Sequence, residues 1–180
     1  MLLAAVPIGF GLMVIGDDLV ALTFGSEFGP TGDVLRLLGL AVVPTYAATF
    51  LGQAALALGR SIVWARLMFG ATVATAAIDL ALVPLTQRWF DNGALGGALS
   101  YVVVETAILI IGIRQVRPAL VDRSMLTSLA RLLLAGAIMA VGTWLAGGWP
   151  LAAQILLAVV IFGMAATALD VVPSSQRMLL

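Results

Sequence analysis

The sequence contains no cysteine and no histidine, and all nine of its basic residues are arginine. Without Cys there is no disulfide framework and no thiolate chemistry. Without His the chain lacks the commonest general base, the commonest metal ligand and the side chain that titrates near neutral pH. No cofactor and no metal site is therefore expected. Charge is scarce as well. Asp, Glu and Arg make up 10% of 180 residues, where a soluble domain carries about a quarter. The formal net charge is zero, which provides no basic footprint for nucleic acid. The absence of Lys fits a coding bias toward GC-rich codons better than a functional cause.

What fills the chain instead is apolar. Hydrophobic residues reach 62%, and the mean hydropathy is +1.15. They come in runs of about 20, the length needed to cross about 30 Å of hydrocarbon. This patterning predicts an all-α, polytopic transmembrane helix bundle of six spans. The spans run from Leu2 to Leu22, Val34 to Leu58, Ile62 to Leu85, Gly93 to Ile113, Met125 to Ala146 and Leu151 to Val172. The first run lacks a positive n-region and a good cleavage site, so it reads as a span rather than a signal peptide. Thr31 or Asp33, Ser61 and Ser124 are the expected N-caps of the second, third and fifth helices. Pro84 is expected to end the third, and Pro44 to kink the second in mid-span. The organisation is four helices over 1–113, a basic loop over 114–124, two helices over 125–172 and a tail over 173–180.

Short loops favour antiparallel neighbours, so alternate loops fall on opposite sides. Arg60, Arg66, Arg114, Arg117, Arg123, Arg131 and Arg177 then share the side of both termini, and only Arg36 and Arg88 lie on the other. By the positive-inside rule both termini are cytoplasmic. The turn carrying Asp17, Asp18, Glu27 and Asp33 faces outward. Trp89 and Trp149 fall in outer turns and Trp64 near the inner end of the third helix, depths that suit indole rings. Arg114, Arg117 and Arg123 read as a topology determinant beside anionic lipid, and Arg36 and Arg131 as interfacial.

The middle of the chain carries an ordered set of motifs. Phe24-Gly25-Ser26-Glu27-Phe28 leads to Val34-Leu35-Arg36-Leu37-Leu38-Gly39. The second helix leaves through Leu56-Ala57-Leu58-Gly59-Arg60. Asp79-Leu80-Ala81-Leu82-Val83-Pro84 precedes Asn92-Gly93-Ala94-Leu95-Gly96-Gly97-Ala98-Leu99-Ser100, followed by Glu105. This order resembles the C-terminal half of polysaccharide-lipid flippases of the multidrug, oligosaccharidyl-lipid and polysaccharide exporter superfamily. It covers about residues 17–112. Two departures stand out: Gly97 occupies a position where the family often has Ala, and the turn over 86–92 is longer and more polar. The resemblance implies a lobe of a two-lobed transporter that flips lipid-linked oligosaccharide across the bacterial cytoplasmic membrane by alternating access. It implies membrane lipids, a polyprenyl-pyrophosphate-linked glycan and a missing N-terminal lobe as partners, with Met1 an internal residue of a longer gene.

Individual residues carry their own arguments. Gly93 and Gly97, with Ala94 and Ala98, place small residues four apart, a pattern that lets helix backbones approach closely. Glu105 falls near the centre of its span, where a carboxylate costs about 2.5–3.5 kcal/mol. Either it faces a cavity and carries a proton or contacts a headgroup, or it locks helices together when protonated or hydrogen-bonded. Thr45, Thr49 and Gln53 recur on one face of the second helix, and Gln53 joins Glu105 as a candidate for substrate binding or coupling. Asp79 reads first as reaching the outer interface, with a transport role as the second reading. Arg66 reads first as snorkelling to the headgroups. Its second reading is a cation for a lipid pyrophosphate, since guanidinium binds phosphate oxygens bidentately.

Two other functions fit the same residues. One is a proton- or sodium-coupled multidrug antiporter of the same superfamily, exchanging its ion at Glu105 or Asp79. The other is a non-transporting membrane scaffold subunit. An enzyme is not expected, because no Ser/His, paired-Asp or metal constellation is present.

Overall fold

The structure is a computed structural model that describes residues 1–116 and 123–171. Arg117, Arg177, the side chain of Arg123, the tail 173–180 and most of the expected loop 114–124 lie outside the described residues. Six helices follow in order: α1 (Leu2–Phe24), α2 (Gly29–Ala57), α3 (Ser61–Phe90), α4 (Gly93–Val116), α5 (Arg123–Leu145) and α6 (Leu151–Ala168). A single 3-10 turn, Ser26–Phe28, joins α1 to α2. All six are long and apolar enough to cross a membrane, so the chain is an all-helical membrane protein.

Several helix ends differ from the sequence expectation, each for a local reason. Helix α2 begins at Gly29, ahead of both Thr31 and Asp33, with Pro30 in its first turn. Proline suits that position because the first-turn N–H groups have no intrahelical partner. Helix α3 does not stop at Pro84 but continues to Phe90. In hydrocarbon, no water satisfies backbone groups released by an early stop, so an interior proline is tolerated. Thr86, just beyond it, donates to the carbonyl of Leu82 at 3.0 Å. Ser61 and Ser124 are helical residues and not caps. Helix α6 ends at Ala168 instead of Val172. Its C-terminus is a Schellman turn, with Asp170 N–H on Thr167 O, Val171 N–H on Ala166 O and Asp170 at φ 52°. The same turn closes α2, where Gly59 N–H meets Leu56 O and Arg60 N–H meets Ala55 O. Gly59 takes φ 69° there, a left-handed conformation that costs other residues about 1–2 kcal/mol.

The bend between α3 and α4 is closed by side chains. Gln87 Oε1 accepts from Gly93 N–H at 2.9 Å, and Thr86 Oγ1 accepts from Gly96 N–H at 3.1 Å. Two first-turn amides of α4 thus find partners on the end of α3. Asn92 Nδ2 donates to Pro30 O at 2.8 Å and ties the bend to the start of α2. At the opposite end, the Arg60 guanidinium donates to Gln115 O.

The helices pack as a row. Helix α1 touches α2, α5 and α6; α2 touches α4; α3 lies on α4 and barely reaches α2. Among the described residues, neither α3 nor α4 touches α5 or α6. Buried positions are mostly small, including Ala5, Ala41, Ala48, Ala55, Ala98 and Ala135, while Phe69, Leu80, Trp144 and Leu156 point outward. That distribution suits lipid, which solvates large apolar side chains, so helices associate through close van der Waals contact instead. Gly9 and Gly39 form a close crossing of α1 and α2. A Cβ on either would come within 2.8 Å of the other's carbonyl oxygen.

Candidate functional site

Halfway along α4, Glu105 faces a cleft between α2, α3 and α4 of about 260 Å³. The i, i+4 spacing of Thr45, Thr49 and Gln53 places all three on one α2 face, and all three line this cleft. Helix α3 contributes Trp64 and Met68, and α4 adds Ile108. The sequence-predicted pair Glu105 and Gln53 is therefore brought together. Pro44, half-buried inside α2, immediately precedes the cleft-lining Thr45.

The polar groups of the cleft are only partly satisfied by one another. Thr49 donates to Thr45 O at 2.9 Å, and the hydroxyls of Thr45 and Tyr101 meet at 3.4 Å across the α2–α4 contact. Glu105 is half-buried, and among the described residues it makes no hydrogen bond or ion pair. Both ion pairs among those residues belong to Arg36 instead. No cation among the described residues balances it, so in a membrane span water in the cleft or a cationic group has to fill that role.

Trp64, in the first turn of α3, packs inward. Its indole wedges between α2 and α4, about 3.0 Å from where a Cβ on Gly52 would sit and 3.2 Å from one on Gly112. Those two glycines make room for the ring, and the ring forms one wall of the cleft. Sequence reasoning missed this trio. The spacing of Ala48, Gly52 and Ala55 on α2 held a signal, but nothing local paired it with Trp64.

The other two predicted polar residues lie elsewhere. Arg66 heads a separate apolar groove between α3 and α4, lined by Gly70, Ala74, Val103 and Ala107 among others. Asp79 accepts a hydrogen bond from Ser100 Oγ on α4. Because α3 runs on to Phe90, Asp79 lies about 27 Å along a helix of about 45 Å. It is thus a helix–helix contact well inside α3.

The close approach of α3 and α4 also differs from the expected spacing. A Cβ on Gly96 would lie 2.6 Å from the Leu82 backbone, and one on Gly93 would lie 3.1 Å from Gln87 Oε1. A Cβ on Gly97 would meet nothing within 4 Å. The packed face runs through Gly93, Gly96 and Ser100, so Gly97 is not part of it.

A second polar contact was not foreseen. Asp17 on α1 pairs with Arg36 on α2, and Asp33 adds a longer contact of 3.7 Å. Gly16 and Gly32 bring the two backbones close enough for it.

No protein-family model, curated protein or solved structure matches this chain.

Proposed function

We propose that this chain is a transport lobe that helps lipid-linked oligosaccharide across the bacterial cytoplasmic membrane, with both termini on the cytoplasmic side. The observation that carries the reading is Glu105: a carboxylate halfway along α4, unpaired among the described residues, in a largely apolar cleft to which Thr45, Thr49 and Gln53 add two hydroxyls and an amide. A hydrated sugar headgroup needs polar partners of this kind to cross hydrocarbon, because each unsatisfied polar group there costs several kcal/mol. The ordered motifs over residues 17–112 support the same reading. The cleft is a half-open pocket of about 260 Å³, so transport of a glycan headgroup requires a second lobe or a second copy facing it. Membrane lipids and a polyprenyl-pyrophosphate-linked glycan are the proposed partners.

The test is a flipping assay in proteoliposomes, with a fluorescent lipid-linked oligosaccharide and an external glycosidase. The chain is tested both alone and with a co-expressed second lobe. Flipping is expected only with two lobes or a dimer present. Glu105→Gln and Gln53→Leu are each expected to lower the rate about tenfold or more, the scale of 1.4 kcal/mol in the barrier. Absence of flipping in every arrangement overturns the proposal.

The lack of a basic partner for Glu105 also favours a second reading, an antiporter that exchanges a proton or sodium ion for a cationic substrate. Under that reading, proton uptake stimulated by organic cations disappears in Glu105→Gln, and glycan flipping is absent throughout.

A further inference from the structure

Arg66 is exposed on α3, and among the described residues it has no carboxylate or hydrogen-bond partner. It lies five residues inside a helix of 30, about 8 Å from its start. Such a helix is about 45 Å long and exceeds the hydrocarbon by about 15 Å, so Arg66 sits at the boundary between headgroups and acyl chains. The groove below it follows one i, i+4 row of α3, Arg66-Gly70-Ala74-Ile78, against Val103-Ala107-Ile111 of α4. Small residues make its floor and branched ones its walls. It runs for about 18 Å, roughly one leaflet deep. Apart from the guanidinium, every side chain lining it is apolar. Its volume is about 330 Å³. The cation at the mouth selects an anionic head, and the apolar channel below selects a hydrocarbon tail.

We propose that this groove holds one anionic phospholipid of the surrounding bilayer, its phosphate on Arg66 and one acyl chain along Gly70, Ala74 and Ala107. The site is separate from the Glu105 cleft. It depends on the chain spanning a membrane and not on any transport activity. Guanidinium offers two parallel N–H donors to phosphate oxygens, while the groove gives the tail a fixed seat where a plain helix surface gives none. Arg60 and Arg114 lie near the same end of the bundle and add positive field there without lining the groove.

Native mass spectrometry of the full chain, extracted from vesicles of equal phosphatidylglycerol and phosphatidylethanolamine with matched acyl chains, tests this. Phosphatidylglycerol is expected to be retained over phosphatidylethanolamine by about fivefold, the factor one interfacial arginine provides against an anionic surface. Arg66→Gln should erase the preference, Arg66→Lys should keep part of it, and Arg131→Gln on α5 should leave it whole. Ala74→Leu, which fills the groove, should lower retention of phosphatidylglycerol with Arg66 still in place. Helix content by circular dichroism confirms that each variant is folded. Equal retention of the two lipids, or a preference that survives Arg66→Gln, overturns the proposal. So does a dimer that Ala74→Leu dissolves while lipid retention is unchanged, because the groove then seats a second copy.

Discussion

Asp79 and Glu105 lie on neighbouring helices, both inside segments long enough to span a membrane, where a carboxylate at the centre costs about 2.5–3.5 kcal/mol. The fold treats them differently. Ser100 donates to Asp79, and its hydroxyl also lies 2.9 Å from Gly97 O. Glu105 receives no such donor and faces the cleft. Ser100→Ala should therefore destabilise the protein by about 1–3 kcal/mol, because it strips the donor from a half-buried carboxylate. Ser100→Ala combined with Asp79→Leu should recover most of that loss, since removing both partners leaves nothing unsatisfied. Thermal unfolding in detergent measures both. A double variant no more stable than the single one would mean that the hydrogen bond is not what fixes Asp79. The sequence alone distinguished the two carboxylates only in part. Glu105 was legible because its depth and the Thr45–Gln53 stripe are both periodic features. Asp79 lies farther from the end of its helix than the sequence suggested, because Pro84 looked like a helix end and the extra turns of α3 were invisible.

Among the elements, the α3–α4 pair shows how spacing alone misleads. Gly93, Gly96 and Gly97 offer small residues on two adjacent stripes of α4, and only the partner helix decides which stripe is used. The structure selects Gly96, packed on the Leu82 backbone. Gly96→Ala forces α3 and α4 apart and should cost about 1–3 kcal/mol. Gly97→Ala projects into open space and should be neutral or slightly stabilising, because Ala is the better helix former. Comparable losses in the two variants, read from their melting temperatures, would contradict this register. The helices themselves were legible from hydropathy, since each holds a run long enough to span lipid. Their ends were less so. Pro30 starts a helix, where its missing N–H costs nothing, and Pro84 fails to stop one, because an early stop in hydrocarbon would leave backbone groups unpaired. The Asp17–Arg36 pair needed a partner helix before it had any meaning.

The whole molecule is the six-helix assembly that the sequence predicted, and its packing order puts α3 at one edge and the α5–α6 pair at the other. Composition counts helices but does not say which of them meet. Natural absence of cysteine makes the arrangement easy to test with introduced pairs. Val6→Cys with Gly136→Cys should crosslink on oxidation, because a Cβ on Gly136 would sit against the Val6 side chain. Val73→Cys with Leu134→Cys, joining α3 to α5, should not, since those helices do not touch within one chain. Efficient crosslinking of the second pair in a monomer would mean that the row closes on itself.

The bend where Thr86 and Gln87 meet the first amides of α4 has a consequence for biogenesis. Side chains at the end of the first segment complete the opening amides of the second, so together they form a hairpin with less left dangling at its tip. A nascent chain can slide such a hairpin sideways out of the insertion channel in one movement. The two strokes of the zigzag should then enter the bilayer as one unit, with neither waiting for the rest of the protein to be made.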